Sequence, residues 1–360
     1  MKIIYVNARF LTQKITGVQR YAIEIFLELV KKNDNIVFLC PPGIIHKDLA
    51  KIFNPKVIGV NRGTLWEQMD LPLFLWLNKS PLLVSLGNVA PMLYKNVILC
   101  HHDISYIRYP ESISKKAGLW YKTISPFIIK RCRALITVSE FSKKDISKYY
   151  NLTTRNVEVV YNSSSHTCRT EKKESKKNHS EEKKEKYFLM VSSINSHKNI
   201  DFVLQSFADP RLKSYKLKIV GGGESFFRSN GYLNYENSNI EFLGRVSDEV
   251  LFQLYSNARC FIFPSFYEGF GIPPLEAQSL GCPVISSCVT SMPEVLGNSA
   301  MFFSPYNKEE FCEKILQLDT DEYLINKFVR LGYENVKRFS WEKSAQKLND
   351  IISHLLDEKK

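Results

Sequence analysis

Short runs rich in β-branched and aromatic residues alternate along this chain with longer stretches whose apolar positions recur every three or four residues. In the first half, Lys2–Val6, Asn35–Cys40, Leu82–Leu86, Val97–Cys100 and Ala134–Val138 read as strands, and Val18–Lys32 carries a helical pattern. Past residue 186 the alternation restarts. Tyr187–Val191, Leu217–Val220, Cys260–Pro264 and Val284–Ser286 read as strands, and Asn199–Ala208, Asp248–Asn257 and Leu275–Leu280 as helices. Strands that alternate with helices predict parallel sheets, so the expected fold class is α/β with two Rossmann-like units in tandem. Neither half repeats at a fixed period, which excludes solenoids and propellers. Parallel-sheet domains bind ligands outside the carboxyl ends of their strands, and the cleft between the two halves is the expected site.

The halves are separated by a segment of another kind. From Arg169 to Lys186, 13 of 18 residues are charged and none is aliphatic or aromatic. Such a stretch has nothing to bury, and reads as a solvated linker or a surface helix. The expected domains are 1–165, a charged linker at 166–186, a second domain at 187–345, and a C-terminal helix at 346–360 that crosses back to the first. Over the whole 360 residues, 44% are hydrophobic and 24% charged, which excludes wholesale disorder. The net charge of +12 is unevenly placed: residues 1–165 hold 23 basic and 11 acidic side chains, and residues 187–360 hold 18 and 21. The eight cysteines are dispersed, with no C-x-x-C pair, and suit a reducing compartment. The apolar run before Arg9 is too short for a signal peptide, and Cys260–Pro293 is too broken by Glu, Gly and Pro to span a membrane. The expected location is the cytoplasm, with peripheral contact at the inner face of the membrane.

Candidate chemistry concentrates between Phe266 and Ile285. Glu268 and Glu276 stand eight apart, and Gly269, Gly271, Pro273 and Pro274 forbid a continuous helix between them. Glu268 therefore falls on a loop. Pro274 suits a first helical turn, which puts Glu276 in the opening turn of a short helix ending near Gly281. The start of a helix offers backbone amides, and glycines let them approach a ligand, so a diphosphate could rest on Gly269, Phe270, Gly271 and Ile272. A diphosphate cradle between two carboxylates suits a nucleotide sugar.

At these residues the sequence resembles the retaining glycosyltransferases of family 4, whose fold is GT-B, two Rossmann-like parallel-sheet domains facing an interdomain cleft. Glu268 to Glu276 is similar to that family's E-x7-E motif. Further blocks follow in the family's order: Ile15 to Ala22 resembles its N-terminal glycine loop, His102-Asp103 its HD pair, and Ala134 to Lys143 its ITVSEFS strand end. In the second half Lys198-Asn199, Leu217 to Gly223, Phe242 to Ser247 and Ser291 to Val295 match in turn.

The resemblance implies that a sugar moves from a nucleoside diphosphate to a glycan acceptor with retention and without a bound metal or other cofactor. Lys198 and the amides of Gly269–Ile272 would meet the charge growing on the diphosphate. Glu276 would accept hydrogen bonds from ribose hydroxyls and Glu268 from sugar hydroxyls. His102 would sit near the reacting sugar, Gly17 would let the first-domain loop approach the diphosphate, and Arg245 and Val246 would flank the base. A GDP-mannose-like donor and a lipid-linked acceptor in O-antigen, capsule or lipopolysaccharide assembly are the expected partners. Relatives carry an arginine where this chain has His197, so one phosphate cation is expected to be missing, and His197→Arg is expected to restore their pattern. The alternatives are a GT-B nucleotide-sugar 2-epimerase or hydrolase, or an inactive glycan-binding relative.

The basic excess has a focus at Ser114–Lys148, where Lys115, Lys116, Lys122, Lys130, Arg131 and Arg133 mix with Trp120, Tyr121, Phe127 and Ile128. That mixture suits an anionic membrane surface, and equally a helix with one face in the core and its charges solvated. Nucleic acid is not expected, because no recognised nucleic-acid motif accompanies the charge.

Overall fold

The computed structural model describes residues 2–152, 157–167, 187–193, 195–222 and 239–358. Nearly all of the expected linker, 168–186, lies outside them. The chain divides into two compact units: Met1–Ile107, Lys116–Asn162 and Trp341–Lys360 form the first, and Arg108–Lys115 with Ser163–Ser340 form the second.

The first unit is built on a parallel sheet of β1 (Ile4–Asn7), β2 (Ile36–Cys40), β3 (Lys56–Val57), β4 (Leu82–Ser85), β5 (Val97–Cys100), β6 (Ala134–Thr137) and β7 (Val157–Val159). Its order is β3-β2-β1-β4-β5-β6-β7, so the winding reverses between β1 and β4. These two strands run with Val6 opposite Val84, both fully buried. The last helix, Trp341–Asp357, also belongs to this unit and begins five residues before the expected start. It packs along the helix Gly17–Leu29, with Trp341 edge-on to Tyr21 at 6.1 Å, and the Ser344 hydroxyl donates to the Tyr161 carbonyl at 2.7 Å.

The second unit holds β8 (Tyr187–Val191), β9 (Lys216–Val220), β10 (Ile240–Gly244), β11 (Cys260–Phe263), β12 (Val284–Ser287) and β13 (Met301–Phe303), all parallel, in the order β10-β9-β8-β11-β12-β13. Its reversal lies between β8 and β11. Phe188, Ile219 and Ile262 from the sheet meet Leu204, Phe207, Phe311 and Ile315 from the helices in one apolar cluster. The strands β3, β7, β10 and β13, which carry no clear signal in the sequence, take the outer positions of the two sheets, where a strand has one partner and needs less apolar side chain. Among the described residues no helix is long and apolar enough to cross a membrane.

Candidate functional site

At the reversal of the second sheet, chain leaving β8 and chain leaving β11 bring two expected site residues together. Lys198 closes a 3-10 turn, Ser196–Lys198, and its Nζ lies 2.5 Å from Glu268 Oε1. The same ammonium stands 5.8 Å from the centre of the Phe263 ring. The Glu268 loop is fixed by its backbone: its amide donates to Thr290 Oγ1 at 3.2 Å, and the Ser291 hydroxyl lies 3.0 and 3.2 Å from the carbonyls of Glu268 and Phe270.

The loop passes Gly269 and the buried Phe270 into Gly271, the residue before the helix Ile272–Ser279. Gly271 has φ +90°, a conformation that favours glycine, and a Cβ there would press on the Met292 methyl at 2.5 Å. Pro273 and Pro274 occupy the first turn, where their missing amides cost nothing. The helix starts at Ile272, three residues before the expected Leu275, and Glu276 therefore lies past its opening turn, with a different set of neighbours.

Those neighbours are the main finding at the site. Glu276 is 9% exposed, and its carboxylate is held on both oxygens: His166 Nε2 stands 2.9 Å from Oε1, and the Tyr255 hydroxyl 3.4 Å from Oε2. Burial, reinforced by the nearby Glu276 charge, pushes the Tyr255 phenol well above its usual value, so it remains a donor. His166 and Thr167 were expected to open the linker. Instead both are buried in the second unit, Thr167 Oγ1 lying 3.0 Å from Ser279 Oγ. Nothing in the sequence marks His166, whose partner is 110 positions away.

His197, in the arginine-like place, is also accounted for. It is buried, its Nδ1 lies 2.9 Å from Ser112 Oγ, and its ring stands 5.9 Å from that of Tyr109. The segment Arg108–Lys115 belongs to this unit, and Tyr109 also stacks on Phe266 at 6.5 Å and approaches Tyr267 at 5.9 Å. The position thus serves to seat a strap of chain beside the Glu268 loop.

Arg245 and Val246 follow β10, Arg245 exposed and Val246 half-buried, before a helix Asp248–Asn257 capped by Ser247. Gly221, in the turn after β9, has φ +110° and leaves only 2.0 Å between a would-be Cβ and the Ser192 carbonyl. In the first unit, Gly17 is exposed and opens its helix, where the Gln19 side chain accepts from the Thr16 amide at 3.2 Å and from its hydroxyl at 2.5 Å. His102, 6% exposed, follows β5 and lies edge-on to Tyr21 on that helix at 4.9 Å. Burial lowers its pKa, and Nε2 sits 2.9 Å from the Leu86 carbonyl. A carbonyl only accepts, so the proton resides on Nε2 and the lone pair on Nδ1. His101 is fully enclosed between the Asn88 carbonyl and the Tyr106 hydroxyl, at 3.1 and 3.0 Å, a structural role.

Among the described residues no cluster of three or more His, Cys, Asp or Glu side chains could hold a metal ion. The described cysteines form no disulfide, and among them only Cys288 is exposed.

The sequence pattern of the family "Glycosyl transferases group 1" matches residues 171–355. The O-antigen chain mannosyltransferase RfbU of Salmonella typhimurium is 28% identical over 359 residues, which cover 92% of this chain and 97% of that protein. The O-antigen chain mannosyltransferase B of Escherichia coli is 30% identical over 269 residues, 70% of this chain and 68% of that one. Among solved structures, a sucrose-phosphate synthase from Thermosynechococcus elongatus superposes with a TM-score of 0.75 at 15% identity, covering 99% of this chain and all of that one. At that identity the likeness is one of fold, and the fold is GT-B, two Rossmann-like parallel-sheet domains.

Proposed function

Because the chain belongs to the glycosyl transferases of group 1, we propose that it transfers a hexose or deoxyhexose, mannose in the first place, from a nucleoside-diphosphate donor to a lipid-linked glycan, with retention of configuration. The mannosyl and O-antigen part of this reading rests on the names of the two relatives. The observation that carries the donor site is the Lys198–Glu268 pair at the carboxyl ends of β8 and β11, followed by a glycine-bearing loop and a helix start. Sheet reversals of this kind form the crevice in which doubly wound folds hold nucleotides.

In this reading the anomeric C–O bond to the diphosphate breaks, leaving an oxocarbenium-like sugar and a more negative diphosphate. Lys198 shifts from Glu268 to the phosphates, and the backbone between Gly269 and Ile272 donates to them, so the charge is met by protein groups without a metal. Glu268, released from its cation, accepts from sugar hydroxyls. Glu276 accepts from ribose hydroxyls, with the base toward Arg245 and Val246. The acceptor hydroxyl enters on the face the diphosphate leaves and gives its proton to a diphosphate oxygen. In this reading Gly17 serves the diphosphate and the lone pair on His102 Nδ1 accepts from a sugar hydroxyl, which requires the neutral ring that burial favours.

A lipid-linked acceptor places the enzyme at the cytoplasmic face of an anionic membrane. Two exposed apolar stripes support this: Leu119, Trp120 and Phe127 among the lysines of the helix Lys115–Arg131, and Leu65, Met69, Leu73, Trp76 and Leu77 along residues 63–77.

The test is a panel of nucleotide sugars given to the purified chain with a lipid extract as acceptor, with the product's anomeric configuration read by NMR. GDP-mannose is expected to be used and the α-linkage retained. Transfer from another donor only would overturn the mannosyl reading, an inverted linkage would overturn retention, and free mannose as the sole product would favour a hydrolase.

A further inference from the structure

One stretch of the first half of the chain packs in the second unit. Arg108–Lys115 is preceded and followed by residues of the first unit, yet it lies beside the turn Ser196–Lys198. Pro110–Ser112 is itself a 3-10 turn, and its side chains meet the other turn at three points. The Ser196 hydroxyl donates to Glu111 Oε1 at 2.8 Å, Ser112 Oγ lies 2.9 Å from Ser196 Oγ, and His197 Nδ1 lies 2.9 Å from Ser112 Oγ.

Donor counting gives these contacts a single direction. A carboxylate only accepts, so the one hydroxyl proton of Ser196 goes to Glu111. The proton between the two hydroxyls must then come from Ser112. With that proton spent, Ser112 Oγ accepts from His197, and Nδ1 carries the hydrogen. The contacts form a relay that runs from His197 through Ser112 and Ser196 to Glu111, and it needs both hydroxyls in place.

Stability alone gives little reason for it, because Glu111 and Ser196 are exposed and water competes for the same bonds. What the relay fixes is the backbone that carries Lys198. On the far side of Lys198 the chain is fixed as well: Asn199 has φ +58°, and its Nδ2 donates to the Pro264 and Pro305 carbonyls, both at 3.2 Å. The His197 carbonyl accepts from the Phe266 amide at 2.8 Å, which ties the turn to the Glu268 loop. A lysine is a point charge on a flexible stem, so its aim depends on where its backbone is held. We propose that Ser112 is a positioning residue for Lys198, acting through the relay to hold the ammonium where it meets the second phosphate of the donor. This rests on the donor-site reading above, and adds to it how the cation is held.

The test reads the relay and its consequence separately. In the full chain carrying isotope-labelled histidine, with His197 assigned through His197→Gln, NMR is expected to show a protonated Nδ1 at pH 8, above the ordinary range of imidazole. Calorimetry with GDP and with GMP isolates the second phosphate. Ser112→Ala should weaken GDP binding at least fivefold and leave GMP binding within twofold. Ser112→Thr, which keeps the hydroxyl, should bind GDP as the wild type does, and Glu111→Ala should weaken it by less than Ser112→Ala. In a Lys198→Ala background, Ser112→Ala should add no further loss, an outcome that a merely structural role would not produce. The proposal is overturned by an unprotonated Nδ1 in the wild type, by unchanged GDP affinity in Ser112→Ala where Lys198→Ala lowers it, or by a Ser112→Ala loss that persists in the Lys198→Ala background. If Lys198→Ala itself leaves GDP affinity unchanged, the donor-site reading fails and the proposal falls with it.

Discussion

His166 Nε2 lies 2.9 Å from Glu276 Oε1, both side chains buried, and this contact divides the two carboxylates of the E-x7-E segment into different chemical situations. Glu276 is held by His166 and Tyr255, which fix its orientation. Glu268 is paired instead with the ammonium of Lys198.

If His166 orients Glu276 toward the ribose, its loss should appear in nucleotide affinity rather than in turnover. A hydrogen bond to a charged group contributes roughly 1.5–3 kcal/mol, so His166→Ala should weaken GDP binding by tenfold or more, and His166→Gln, which keeps a donor, by less. Glu276→Gln should follow the same pattern. Calorimetric titration of GDP decides it; unchanged affinity in His166→Ala would remove the residue from the site.

Lys198 and Glu268 should behave as a unit. Lys198→Ala removes the phosphate cation and should raise the barrier by about 2.7–4 kcal/mol, a hundredfold or more in kcat. Glu268→Gln should lower kcat more than it weakens GDP binding. Because the two side chains touch, the double variant should fall well short of the summed effects. Additive losses in a kinetic double-mutant cycle would mean that the pair is not shared with the donor.

Sequence comparison alone expects His197→Arg to be neutral or beneficial. The surroundings argue otherwise, because the ring is buried against Tyr109 and bonded to Ser112, and a guanidinium has no room without displacing that strap. His197→Arg should lower the melting temperature by about 2–4 °C, the shift expected for about 1 kcal/mol in a domain of this size. Calorimetry of the variant checks this, and an unchanged melting point would restore the simpler expectation.

Much of this was legible beforehand, and the exceptions share a cause. The strands Val97–Cys100 and Tyr187–Val191 were read to the residue, because each is a bounded apolar run whose signal is local. Glu268, Glu276 and Lys198 stood out through spacing and resemblance. Ser112 and His166 did not. Each becomes meaningful only through a partner 85 or 110 positions away, His197 in one case and Glu276 in the other, and no periodicity records such pairings. The start of the short helix differs by three residues for a smaller reason: Gly271 supplies the positive φ that lets a helix begin directly at Ile272.

The paired histidines give the fold a pH dependence of definite sign. Burial lowers the His101 pKa from 6.5 to about 4, and lowers that of His102 as well. Between pH 6.5 and 4 the unfolded chain binds a proton at His101 that the folded chain refuses, so stability is complete above this window and falls as the pH drops through it. Crossing the whole window costs about 3 kcal/mol from His101 alone. Melting temperatures at pH 5 should therefore lie below those at pH 7, and His101→Gln should narrow the difference.

The last expectation concerns what the basic first half does. Lys115, Lys116 and Lys122 are exposed on one helix with Leu119, Trp120 and Phe127, while Ile124, Ile128 and Ile129 of the same helix are buried. The helix therefore has a core face and, separately, an outward face that is both apolar and cationic, so the two readings of this segment are not exclusive. Each basic residue near an anionic surface contributes about 1 kcal/mol, an attraction that salt screens over about 10 Å at 0.1 M. Three of them with inserted aromatic side chains would hold the protein reversibly. The full chain should sediment with vesicles containing phosphatidylglycerol at low salt and be released at 0.5 M salt. Lys115→Glu, Lys116→Glu and Lys122→Glu combined should abolish sedimentation while leaving GDP affinity intact. A wild type that ignores such vesicles would assign the charge to a soluble acidic acceptor instead.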